Sequence, residues 1–84
     1  MYEIYIERNA EKELNALNSP IFDRIRDAIL DLANNPRPFG YRKLKGLERY
    51  LRIKVGDYRI IYEINDKSSE VKIEKVRHRK NVYR

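Results

Sequence analysis

The chain has 84 residues, 42% of them hydrophobic and 38% charged, with no cysteine and a formal net charge of +6. A length of this order supports one domain, residues 1–84, with a modest core, and the lack of cysteine excludes disulfide staples, thiolate metal sites and a cysteine nucleophile. No apolar run approaches the roughly 18–20 residues that span a bilayer, and the opening Met1–Glu7 has no small-residue cleavage site, so the expected location is the cytoplasm with no membrane partner.

Met1 to Glu7 alternates, with Tyr2, Ile4 and Ile6 on one face and Glu3, Tyr5 and Glu7 on the other, which predicts a strand with one buried side. Asn9 then offers an N-cap, and Ala10, Leu14 and Leu17 recur at helical spacing to about Asn18. Ser19-Pro20 reads as a second helix start, with serine as cap and proline at the first helical position. Ile21, Ile25, Ile29 and Leu32 form the apolar stripe of that helix, which Asn34-Asn35-Pro36-Arg37-Pro38-Phe39-Gly40 terminates. Two helices with so short a link are expected to lay their apolar sides together on a sheet.

From Tyr41 the period returns to two. Leu51, Ile53 and Val55 alternate with Tyr50, Arg52 and Lys54, Gly56-Asp57 makes a tight turn, and Tyr58 to Ile64 is the return strand. A looser turn at Asn65–Ser69 precedes a last strand from Val71, whose alternation slips near Lys75-Val76, a sign of a bulge or of the strand's end. The expected fold is therefore α+β: an antiparallel four-stranded sheet with an N-terminal helical hairpin packed on one face, in the order β-α-α-β-β-β.

A two-residue turn sets a register. Val55 opposes Tyr58, Lys54 opposes Arg59, Ile53 opposes Ile60, Arg52 opposes Ile61 and Tyr50 opposes Glu63. Arg52, Lys54 and Arg59 then share the face away from the helices, where like charges placed opposite one another are destabilising. A phosphate would balance them, since arginine forks match its oxygens and lysine adds a point charge; the bland alternative is a solvated face whose side chains splay apart. Charge is also uneven along the chain. Residues 1–40 carry five Lys/Arg against seven Asp/Glu, net −2, while residues 41–84 carry fourteen against six, net +8. That is the footprint of a polyanion binder, although charge alone does not separate RNA, DNA, anionic lipid and an acidic protein.

The C-terminal run Arg77-His78-Arg79-Lys80-Asn81-Val82-Tyr83-Arg84 extends the basic half. An imidazole can serve as acid or base, which makes His78 a weak candidate, and Tyr83 either stacks on a base or joins proton transfer, or else helps pin the tail to the core. Lys43 and Lys45, around Leu44-Lys45-Gly46-Leu47, read as backbone-contacting charges at a rim. Gly40, Gly46 and Gly56 stand too far apart for a phosphate loop, and one histidine without cysteine gives no credible zinc site, so neither metal nor cofactor is expected.

Four segments carry a resemblance: Lys43-Leu44-Lys45-Gly46-Leu47, Tyr50-Leu51-Arg52-Ile53-Lys54-Val55, Gly56-Asp57-Tyr58-Arg59-Ile60-Ile61-Tyr62 and His78-Arg79-Lys80-Asn81-Val82-Tyr83. In this order and spacing the chain resembles the RelE/ParE toxin superfamily, and more closely its RelE branch, over essentially its whole length. The resemblance implies a ribosome-dependent messenger endoribonuclease, neutralised by a cognate acidic antitoxin in a hetero-oligomer. It also implies that the RNA 2′-hydroxyl attacks the adjacent phosphate, leaving a cyclic phosphate and a 5′-hydroxyl. On this chain Lys54 would help deprotonate the 2′-hydroxyl or stabilise its charge, Arg59 and Arg79 would bind the phosphate, and Tyr83 would orient the nucleotide. Arg52 stands where the family often has lysine, which keeps the charge but gives a poorer base. Lys43, Lys45, Arg77, His78 and Lys80 would contribute RNA contacts. Two other readings remain at this point: a ParE-like gyrase inhibitor on the same fold, and a non-catalytic basic module that docks RNA or an acidic protein.

Overall fold

The computed structural model describes residues 1–81. Its elements are β1 (Glu3–Ile6), α1 (Arg8–Asn15), α2 (Ile21–Asp31), β2 (Arg42–Leu44), β3 (Leu47–Val55), β4 (Tyr58–Asn65) and β5 (Glu70–His78). Both helices begin differently from the expectation. The cap of α1 is Glu7, whose carboxylate accepts from the Asn9 amide at 3.0 Å. At α2 the residue before the first turn is Pro20, and the Ser19 hydroxyl donates to the Asp23 carboxylate at 3.2 Å in place of capping.

The sheet corrects the expected architecture. It has five strands, ordered β1-β5-β4-β3-β2, and it is mixed rather than antiparallel. The added strand is β2, three residues too short to show a period, paired antiparallel with β3. The parallel contact is between β1 and β5, with Ile4 beside Val71 and Ile6 beside Ile73. Alternation along a strand reports which face is buried and carries no information about the neighbouring strand or its direction.

The predicted hairpin register is the observed one at every pair, from Val55 with Tyr58 to Tyr50 with Glu63. Gly56 makes the turn possible, since its φ of +59° is the left-handed conformation that a tight hairpin needs at its first central position. The last strand does carry a bulge, one residue earlier than the slip in the pattern. Ile61 pairs with Lys75 and Tyr62 with Ile73, so Glu74 is the extra residue.

Ala10 and Leu14 of α1 and Ile25, Ile29 and Leu32 of the second helical segment pack on Leu51, Ile53, Ile60, Tyr62, Val71, Ile73 and Val76. The helices thus cover one face of the sheet. Burying that apolar stripe is the main favourable term for so small a domain. The middle strand β4 is closed on both sides, and Ile60, Ile61 and Tyr62 are all nearly inaccessible.

At the end where β4 turns into β5, polar groups close on one another. The Tyr62 hydroxyl donates to the Pro36 carbonyl at 2.7 Å, and burial pushes its phenol up to about 12. Arg37 grips both carboxylate oxygens of Asp66 at 3.3 and 2.9 Å, and the Tyr2 hydroxyl donates to the same carboxylate at 2.6 Å. Arg37 first, and Tyr2 second, hold the Asp66 carboxyl below its ordinary range. Among the described residues no helix is long and apolar enough to cross a membrane.

Candidate functional site

The open face of the sheet, opposite the helices, is built by register. Lys54 stands opposite Arg59, and Arg59 stands opposite Arg77, making a row of three cations across β3, β4 and β5. Directly opposed side chains have Cβ atoms about 4.5–5.5 Å apart. Two residues further along the strands lies a second row: Arg42 opposite Arg52, Arg52 opposite Ile61, and Ile61 opposite Lys75. Among the described residues, none of Arg42, Arg52, Lys54, Arg59 and Lys75 forms an ion pair with a carboxylate.

Other elements fix the geometry around these rows. The Arg59 guanidinium folds back to donate to the Tyr58 carbonyl at 3.1 Å, which holds it against the hairpin. Arg77 is anchored by Glu13 of α1, whose carboxylate accepts from the Arg77 Nε at 2.5 Å and from the Val76 amide at 3.0 Å. Beyond Ile73 strand β5 no longer has β1 beside it, so this carboxylate also occupies an otherwise open edge. After β5 the chain bends back over the turn. The Arg79 amide donates to the Asp57 carbonyl at 2.7 Å, and the Arg79 Nε lies 4.0 Å from the Asp57 carboxylate.

The structure therefore brings Arg52, Lys54 and Arg59 to one face, holds Arg77 at its edge against Glu13, and sets Arg79 at the tip of the same hairpin. Four other candidates stand apart. Lys43 pairs with the core residue Leu51 and so lies on the opposite face from Arg52. Lys45 is exposed in the β2–β3 turn. His78 pairs with Tyr58 on the helix side, its ring edge-on to the tyrosine at 5.4 Å, and its Nδ1 accepts from the Lys80 amide at 3.2 Å. Lys80 itself is exposed in the turn that follows β5. Tyr83 lies outside the described residues. Arg42 and Lys75 join the open face without having been singled out from the sequence, since the pairing of β2 and the bulge that turns Lys75 outward are both long-range features.

Chemically, such a face can bind a polyanion along its rows and stabilise added negative charge at the Lys54–Arg59 step. Lysine is the one group there able to release a proton, because guanidinium stays charged.

Comparison with known proteins places this arrangement. Residues 4–83 match the family model of the ParE toxin of type II toxin–antitoxin systems, parDE. The chain is 34% identical over 76 residues to toxin RelE3 of Methanocaldococcus jannaschii, covering 86% of this chain and 84% of that one. Its fold is similar to the toxin in the archaeal RelE–RelB complex of Pyrococcus horikoshii, with a TM-score of 0.81 and 30% identity over 96% of this chain and 98% of that one. The RelB–RelE antitoxin–toxin complex of Methanococcus jannaschii is also similar, with a TM-score of 0.76 and 29% identity, 94% of each chain being covered.

Proposed function

The chain belongs to the RelE/ParE family of type II toxin–antitoxin toxins, and within it we propose that this protein is a metal-independent endoribonuclease that cuts translated messenger RNA on the ribosome. The observation that supports this most directly is the Lys54–Arg59 pair on the open face, with Arg52 on the same face and Arg79 at the hairpin tip, in which Lys54 and Arg59 oppose each other with no carboxylate between them. A bent RNA backbone supplies the missing anion. The 2′-hydroxyl oxygen forms a bond to the adjacent phosphorus as the bond to the 5′-oxygen breaks, giving a cyclic phosphate and a 5′-hydroxyl. Lys54 takes the 2′-hydroxyl proton, or stabilises the alkoxide as water takes it. Arg59 and Arg79 hold the phosphate oxygens, Arg79 stabilises the charge on the departing 5′-oxygen, and that oxygen takes a proton from water to give the 5′-hydroxyl. Arg52 adds charge one step away, and Tyr83 orients the nucleotide.

No group on the open face is a strong base at neutral pH, so rate depends on positioning, and the ribosome is the source of that positioning. Several fixed cations around the transition state remain the largest catalytic contribution. The partner is an antitoxin, as the RelB complexes of the archaeal relatives suggest, and the basic face favours an acidic one. It covers the basic face or displaces the C-terminal segment, giving a toxin–antitoxin hetero-oligomer in the cytoplasm.

Single-turnover cleavage of programmed ribosomes and of free messenger, both with and without a chelator, tests the proposal. Ribosome-bound message should be cut much faster, with cyclic-phosphate ends and no response to chelation. Equal rates on both substrates would count against it. The matching ParE family model favours one other reading, gyrase inhibition. A supercoiling assay separates the two: inhibition of gyrase without RNA cleavage would replace the nuclease reading.

A further inference from the structure

Near the second row of the open face lies a small cup of about 150 Å³, lined by Leu44, Leu47, Tyr50, Ile61, Glu74 and Lys75. Its floor is unusual for a basic surface. Ile61 faces away from the helices, between Arg52 and Lys75, yet is only 3% exposed and does not belong to the main core cluster. Tyr50 forms part of the wall, and its ring carries the Arg49 guanidinium 4.8 Å from its centroid. Glu74 stands on the open face with Lys72, as alternation from the core residues Val71 and Ile73 requires, and the bulge in β5 turns Lys75 to the same face beside it. The Glu74 carboxylate is 20% exposed, and the Lys72 ammonium lies 3.7 Å away.

An apolar, aromatic-walled cup with one carboxylate at its edge, beside rows of phosphate-binding cations, matches the parts of a nucleotide. The ring faces are apolar, the edge carries donors and acceptors, and the backbone is anionic. Two residues along a strand separate the cup's row from Lys54 and Arg59, roughly 7 Å, the reach of a neighbouring nucleotide. A carboxylate accepts hydrogen bonds from exocyclic amines and repels carbonyl oxygens, so it favours adenine, cytosine and guanine over uracil.

Resting on the nuclease reading for the position of the strand, we propose that this cup is a base-selecting subsite, in which Glu74 admits a nucleobase bearing an exocyclic amine next to the scissile phosphate and disfavours uracil. Glu74 acts on selection and takes no part in bond cleavage.

Two measurements on the full chain test this independently of each other. In the first, short uncleavable 2′-O-methyl oligonucleotides of C, A and U are titrated by fluorescence anisotropy. The wild type should bind the C and A strands about 10-fold tighter than the U strand, and Glu74→Gln should reduce the difference to about 2-fold or less, since an amide also donates to uracil carbonyls. Lys72→Ala should keep the preference, showing that loss of the 3.7 Å pair is not the cause. Leu47→Ala, at a wall residue already 56% exposed, should weaken all strands alike without unfolding the protein. In the second, cleavage ends are mapped on ribosomes whose messages differ at each codon position. Equal binding of U, C and A by the wild type, or a preference unchanged in Glu74→Gln, overturns the subsite even if RNA is cut. A Glu74-dependent preference in binding without any cleavage sustains the subsite and overturns the nuclease reading instead.

Discussion

At the end of the sheet where β4 turns into β5, Arg37 directs both terminal guanidinium nitrogens to Asp66, Tyr2 donates to the same carboxylate, and Tyr62 is closed on a backbone carbonyl. At the opposite end, where β3 turns into β4, Lys54 faces Arg59 and no acid intervenes. The first set of polar groups is complete within the chain and ties β1, the proline-rich loop and the β4–β5 turn together. The second is incomplete, and strands hold its like charges in place. A polar cluster satisfied by its own fold speaks of stability, whereas a rigid cluster left unbalanced speaks of a ligand.

The largest effect should come from the unbalanced end. Lys54→Gln should lower single-turnover cleavage on ribosomes by about 10²–10³-fold, the usual cost of removing one charge-stabilising group. The same substitution removes a like-charge opposition, so the urea midpoint should stay level or rise slightly. A marked fall in stability would show that Lys54 is part of the framework and would break the contrast between the two ends.

Tyr62→Phe should do the reverse. It strands the Pro36 carbonyl in a buried position and should cost about 1–2 kcal/mol in chemical denaturation, with cleavage per folded molecule unchanged. The same side chain gives an alkaline signature. Folding raises the Tyr62 phenol from 10.0 to about 12, so the folded chain keeps a proton that the unfolded chain loses. Its contribution is complete below pH 10 and disappears as pH rises toward 12. Tyr5, raised to about 12 chiefly by its hydrogen bond to Glu3, titrates over the same range. Tyr62→Phe should therefore flatten part of the alkaline limb, and Tyr5→Phe, whose phenol faces solvent and is screened by it, a smaller part; a limb unaffected by Tyr62→Phe would refute the assignment.

The smallest change should follow Asp66→Asn. The carboxylate is more than half exposed, so salt and water screen its pairing with Arg37. Because its folded pKa is depressed, its stabilisation is present above the unfolded value of 3.8 and fades as pH falls through the lower folded value. A thermal melt series in acid should show a shallower decline for Asp66→Asn than for the parent chain, and high salt should shrink the difference.

Much of this molecule was legible in local patterns. The two helices, the β3–β4 hairpin and its register followed from apolar spacing and from Gly56-Asp57, because side-chain period and turn geometry act over a few residues. The same register puts Arg52, Lys54 and Arg59 on one face from the sequence alone. The tertiary structure alone decided that β1 runs parallel beside β5, that a three-residue β2 brings Arg42 opposite Arg52, and that Lys43 falls on the other side. It also decided that Glu74 bulges beside a sheltered Ile61. Each of these depends on which distant segment becomes a strand's neighbour, and backbone pairing of that kind leaves no mark on the periodicity of either partner.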